Sequence, residues 1–156
     1  MSKYLADPMH GGFINFSEEK LEAWRAALFH AREVYFMWHL AEQHWVLVRL
    51  NKATKLCEIY EPSCLVKDKV IAQTIFDAMN RLFDTDEYDE WCSVLYNSKA
   101  ARIPRQHDGC SCGVFMCVIA RHLIFDCALP KQLLAEALLE WRSHIAMTLS
   151  MARLQV

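Results

Sequence analysis

An α+β domain organised around one buried helix is the fold class this sequence predicts. Three observations point to it. Three β-branched and aromatic runs lie close together in the first half of the chain. Apolar residues at helical spacing flank them on both sides. One later segment, "CGVFMCVIARHLIFD", is apolar nearly all round, which suits a helix only in a domain interior.

The elements follow in order. Residues 1–16 are irregular, with Pro8 and the Gly11-Gly12 pair. Ser17 reads as an N-cap, with Glu18 and Glu19 in the first turn. Leu21, Trp24, Leu28 and Ala31 recur at helical spacing and predict a helix over 18–32. "VYFMW" (34–38), "HWVLVRL" (44–50) and "LCEIYE" (56–61) read as strands, and "NKATK" suits an antiparallel hairpin between the last two. Strand alternation puts His44, Val46 and Val48 on one face of the second strand. It likewise groups Cys57, Ile59 and Glu61 on the third.

Ile71, Ile75, Ala78 and Leu82 mark a helix over 66–83, and "DTDEYDE" (84–90) reads as a solvated acidic turn. "WCSVLY" (91–96) is a further strand. Pro104 interrupts a polar loop leading into "QHDGCSCGVF" (106–115), and the buried helix runs from Cys112 to Asp126. A last helix is predicted from about 130, with Pro130 near its first turn and an apolar stripe of Leu134, Ala137, Leu138, Trp141, Ile145 and Leu149. The chain then reads as one domain, 1–156: an N-terminal segment 1–33, a core 34–126 and a C-terminal helix 130–152.

Composition narrows the function. The chain is 54% hydrophobic with only 4 Gly and 4 Pro, so it folds. A net charge of −2 gives no reason to expect nucleic acid as a partner. Charged residues interrupt every apolar run, so no membrane span is expected. The start, "MSKYLADPMHGG", lacks a signal pattern, and 7 cysteines without one argue for an intracellular, reducing compartment, cytoplasmic or nuclear. Nothing calls for a cofactor.

The chemistry concentrates at the cysteine pair. Cys110, Cys112, Cys117 and His122 could be written as zinc ligands, but Cys117 and His122 lie five apart on one helix, which fits poorly. A C-x-C pair is not the C-x-x-C of redox helices. A nucleophile explains more residues. Cys112 opens the helix, where unpaired N–H groups and the macrodipole favour a thiolate, while Cys110 lies in the preceding loop. Gly113 lets a substrate backbone approach. His44 is the best base, although a lone histidine at a strand start is more often structural. The hairpin can return Glu61, 17 residues later, beside it as the orienting carboxylate. Gln106, six residues before Cys112, can donate to an oxyanion together with the Cys112 N–H.

"HLAEQHWVLVRLNKATKLCEIYEPSC" and "IPRQHDGCSCGVFMCVIARHL" resemble the His-Trp strand, acidic hairpin and Gln–Asn-Gly–x-Asp-Cys-Gly–x-Phe segment of the ubiquitin-like-protein proteases, the SUMO protease (Ulp/SENP) family. The adenovirus protease (adenain), of the same clan, is similar too and uses glutamate as its acid. The resemblance covers 34–126, with a weaker helical match to 150. It implies a papain-like α+β fold with a mixed sheet against the central helix. It implies thiol hydrolysis after Gly-Gly, with Cys112 as nucleophile, His44 as base, Glu61 as acid and Gln106 as oxyanion donor. Trp45 would line the tunnel for the substrate glycines; core packing is its alternative. A ubiquitin-like protein or its conjugates would be the partner.

Ser111 departs from the family's aspartate before the nucleophile, and Glu61 from its usual aspartate acid. The family's longer front, with its tryptophan clamp, does not align with the residues around Trp24. Four alternatives stay open: an adenain-like endopeptidase acting on a viral or transposon polyprotein, a His-Glu-Cys acetyltransferase, a non-catalytic ubiquitin-like-protein binding module, and a zinc module.

Overall fold

The structure is a computed structural model that describes residues 18–40, 44–63, 68–83, 87–97 and 103–153. Ser17 lies outside these, and so do the side chains of Leu21, Trp24 and Leu28. The elements run α1 (Glu18–Phe29), β1 (Glu33–Leu40), β2 (His44–Asn51), β3 (Leu56–Glu61), α2 (Asp68–Phe83), β4 (Cys92–Asn97), α3 (Cys112–Ile124) and α4 (Ala135–Arg153). A short 3₁₀ turn at Glu87–Glu90 occupies part of the acidic segment read as a plain turn. There Asn80 Nδ2 donates to Asp89 Oδ1 at 2.8 Å.

Among the described residues the strands form one sheet in the order β1-β2-β3-β4. β1, β2 and β3 pair antiparallel, and β4 joins β3 in parallel after the α2 crossover. The sheet is therefore mixed, as the resemblance implied. Asn51 makes the hairpin turn: its Oδ1 accepts from the N–H groups of Ala53 and Thr54 at 3.1 and 3.2 Å. Lys55 completes the turn in the left-handed region, φ 50°.

Alternation divides the core in two. Val46, Val48, Cys57 and Ile59 face α2 and bury against Ile71, Ile75 and Met79. Leu47 and Tyr60 face the other way and bury against Phe115, Met116 and Ile119 of α3. Burying one such side chain fully stabilises by about 1.5–3 kcal/mol. Leu129, Leu133 and Leu138 pack on the same cluster, so α3 is held between the sheet and the C-terminal segment.

The register is pinned by charge as well as by apolar pattern. Arg49 reaches both neighbouring strands, with Nη2 2.7 Å from Glu33 Oε1 and Nη1 2.7 Å from Glu58 Oε2.

Two helix boundaries need correction. The first helix ends at Phe29 rather than reaching 32, so Ala31 lies beyond it. The last helix starts at Ala135, not near Pro130. Its first described bond runs from Leu138 N–H to Leu134 O. Leu129 and Leu133 are drawn into the α3 cluster, which holds 127–134 in an irregular path. Tertiary burial overrides the helical spacing there. Among the described residues no helix is long and apolar enough to cross a membrane.

Candidate active site

The site is assembled where β2 begins and β3 ends. The β2–β3 register pairs Leu47 with Tyr60 and Val48 with Ile59. Continued toward the open end, it brings Glu61 and Ser63 back to the start of β2. His44 Nε2 lies 2.7 Å from Glu61 Oε1. Ser63 adds to this pair: its N–H donates to the same carboxylate oxygen at 2.7 Å, its hydroxyl donates there too, and Ser63 Oγ lies 3.1 Å from His44 Nε2.

Both partners are enclosed, His44 being 9% exposed and Glu61 0%. Burial by itself would push the Glu61 carboxyl up. The hydrogen bonds from His44 and from the Ser63 side chain and backbone, with the His44 charge, outweigh it and hold the carboxyl below its ordinary 4.5. An ionised Glu61 can only accept, so the proton between the two belongs to His44 Nε2. A neutral His44 ring then carries its lone pair on Nδ1.

The second half of the site comes from the loop before α3. Gln106 N–H donates to Pro62 O at 3.0 Å, which ties the loop to the residue following Glu61. The Gln106 side chain is buried, and its Nε2 donates to Asp108 O at 2.7 Å and to Asp108 Oδ1 at 3.2 Å. Cys112, six residues on, is the first residue of α3 and is 8% exposed. The helix it opens runs over Leu47, three residues past His44. The first-turn N–H groups of such a helix have no intrahelical acceptors. Among the described residues Cys112 Sγ makes no hydrogen bond.

Trp45 is half-buried beside the α3 cluster and stacks on His39 of β1 at 4.3 Å. A Cβ built on Gly113 meets nothing within 4 Å. The fold itself therefore does not require glycine there; open space lies beside the residue that follows Cys112.

The zinc ligands considered above do not come together as a site. Among the described residues no three His, Cys, Asp or Glu side chains are placed to share a metal ion. His122 Nδ1 instead donates to Val118 O at 2.8 Å, one turn back. Burial pushes the Cys117 thiol up, which suits a packing role. Cys110 is exposed in the loop.

Sequence reasoning missed three residues. Ser63 follows Glu61 by two, and Asp108 precedes the N–H groups it accepts from by two and three, an Asx-turn spacing readable in "DGCS". Arg142 of α4 donates to Ser111 Oγ at 2.7 Å across 31 residues, and no local signal marks it.

The class is that of the cysteine peptidases, and it is the family match over most of the chain that shows it. The chain belongs to the Ulp1 protease family: the model of that family's C-terminal catalytic domain matches residues 7–150. No curated protein matches it in sequence. Solved structures share the fold. The SUMO protease Ulp1 with its catalytic cysteine oxidised to a sulfenic acid matches at TM-score 0.60 and 13% identity, over 82% of this chain and 58% of that one. The C-terminal Ulp1 protease domain in complex with Smt3, the yeast ortholog of SUMO, matches at 0.59 and 12%, over 80% and 56%. The Xanthomonas campestris effector XopD bound to ubiquitin matches at 0.50 and 18%, over 79% and 63%. The chain thus spans less than two thirds of the length of these structures.

Because the folded Glu61 carboxyl lies below 4.5, its ionised form adds stability above the unfolded value, lost as pH falls through the folded one. Glu61→Gln should cost about 1–3 kcal/mol at pH 7. Its deficit should shrink below pH 4.5. Urea titrations across pH measure this; a deficit independent of pH would contradict an ionised, hydrogen-bonded Glu61 carboxylate.

Proposed function

We propose that the chain is a cysteine protease or isopeptidase that cleaves after the Gly-Gly terminus of a ubiquitin-like modifier, in SUMO-type processing or deconjugation. The observation that carries it is His44, bound through Nε2 to a buried carboxylate, at the sheet end to which the Gln106 loop is tied. Family membership and neighbours solved with Smt3 and ubiquitin support this choice of partner.

In this reading Cys112 is the nucleophile. His44 Nδ1 takes its proton, and the thiolate attacks the carbonyl of the terminal glycine. The Cys112 N–H and the Gln106 amide hold the oxyanion, the longer Gln106–Asp108 contact giving way to it. The His44 imidazolium then protonates the leaving amine, a lysine side chain in an isopeptide. Water, deprotonated by His44, hydrolyses the thioester and returns the free thiol. Thiol and base of such sites commonly meet only once substrate is bound. Trp45 and the open side of Gly113 form the track for the two glycines. The work belongs in a reducing compartment, cytoplasmic or nuclear.

Glu61 also favours a second reading, an adenain-like endopeptidase, since that branch uses glutamate as its acid. A peptide-library profile separates the two: cleavage confined to Gly-Gly termini of folded modifiers supports the first.

A SUMO or ubiquitin carrying a C-terminal electrophile should label the wild type stoichiometrically at Cys112. Cys112→Ser should lose at least about 10³-fold in kcat. Labelling elsewhere, or full turnover by that variant, would overturn the assignment.

Gly113→Ala should fold with a melting temperature at or above the wild type's, since the added methyl meets open space. Its kcat/KM on modifier substrates should nonetheless fall about tenfold or more, as the methyl blocks the glycine track. Unchanged kcat/KM would place the substrate elsewhere.

A further inference from the structure

We propose that Asp108 and Arg142 act through Ser111 as positioning residues for the loop between Gln106 and Cys112, which makes the C-terminal helix α4 part of the catalytic geometry. The inference rests on the roles given to Gln106 and Cys112 above.

Asp108 organises the loop from its middle. Its Oδ1 accepts from the N–H groups of Cys110 and Ser111 at 3.1 and 2.8 Å. Its Oδ2 accepts from the Ser111 hydroxyl. Its backbone carbonyl and Oδ1 both accept from Gln106 Nε2. One residue therefore sets the backbone leading into Cys112 and also the orientation of the Gln106 amide. The second effect is specific. The other end of that amide, Oε1, is buried without a partner among the described residues. Among the described residues, two acceptors of Asp108 set which end is the donor, its carbonyl at 2.7 Å and its Oδ1 at 3.2 Å; losing the side chain removes the second and frees the loop that places the first, so the amide can turn over and present its oxygen. An oxygen repels an oxyanion that an N–H would bind.

Ser111 carries the connection outward. It sits at the N-cap of α3, yet its side chain makes no capping bond. It is wholly buried, and its hydroxyl donates to Asp108 while accepting from Arg142 Nη2 at 2.7 Å. The same guanidinium nitrogen lies 3.8 Å from Cys110 Sγ. Arg142 brings a positive charge to a loop whose Asp108 carboxyl is held below its ordinary range, chiefly by the Ser111 hydroxyl. Leu139, Met147, Leu149 and Met151 of α4 are exposed. Arg142 is the polar tie that points from this helix into the site.

The test is a set of variants read by kcat, KM and the rate of Cys112 alkylation by iodoacetamide, with thermal melting as the folding control. Asp108→Ala should lower kcat about tenfold or more while KM moves less than about threefold. Asp108→Asn keeps an acceptor for the loop N–H groups and should recover most of the loss. Arg142→Ala should lower kcat about 3- to 30-fold. The double variant Ser111→Ala/Arg142→Ala should be no worse than Ser111→Ala alone, because the effect travels through Ser111. Additive losses, or wild-type kcat and alkylation in Asp108→Ala and Arg142→Ala, would overturn the proposal. Should the wild type turn over no modifier substrate, the functional reading fails on its own, and the alkylation rates still decide this one by the same non-additivity.

Discussion

The register of the β2–β3 hairpin is the constraint on which the rest of the site depends. A strand alternates its faces, so a slip of one residue would turn Glu61 to the opposite side of the sheet and leave His44 unpaired. Three features fix the register. Asn51 closes the turn through two backbone N–H groups. Arg49 spans three strands between Glu33 and Glu58. Val46, Val48 and Ile59 bury on one face and Leu47 and Tyr60 on the other. None of these residues contributes a reacting atom, yet each helps to set where the imidazole points.

Among the described residues, the other half of the site reaches the first through the Gln106–Pro62 backbone contact and one packed helix. Gln106 is bonded to Pro62, immediately after the acid. α3 lies over Leu47 and Tyr60, the neighbours of His44 and Glu61 along their strands. In the proposed mechanism, base and acid thus belong to the sheet, nucleophile and oxyanion donors to the loop and helix. Their alignment is a question of how α3 docks on the sheet. That dependence explains why a helix beyond α3 matters, since α4 holds both the outer face of α3 and the loop before it.

Much of this was legible in the sequence because the signals are local. Period-two alternation found β1, β2 and β3, and a 17-residue return through a short turn brought Glu61 to His44. Cys112 stood out by opening an apolar helix. Local signals also failed where tertiary contacts decide. The residues around Pro130 have helical spacing, but Leu129 and Leu133 bury against α3 and the helix waits until Ala135. Ser63 and Asp108 act through their own backbone neighbourhood and could have been found from spacing. Arg142 could not, because its partner is set by packing of α4 on α3. The serine at 111, where the family resemblance carries an aspartate, becomes intelligible in the structure: the loop's carboxylate sits three residues earlier, at Asp108, and the serine hydroxyl connects it to Arg142.

The central claim is that Glu61 fixes the His44 proton on Nε2 and so leaves Nδ1 as the basic nitrogen of the neutral ring. Nitrogen-15 NMR of histidine-labelled protein reads this directly. A Cys112→Ala variant at alkaline pH removes the thiol proton from the count. His44 should then hold its one ring proton on Nε2, strongly deshielded by the carboxylate. A proton on Nδ1, or an even mixture of the two tautomers, would contradict the account.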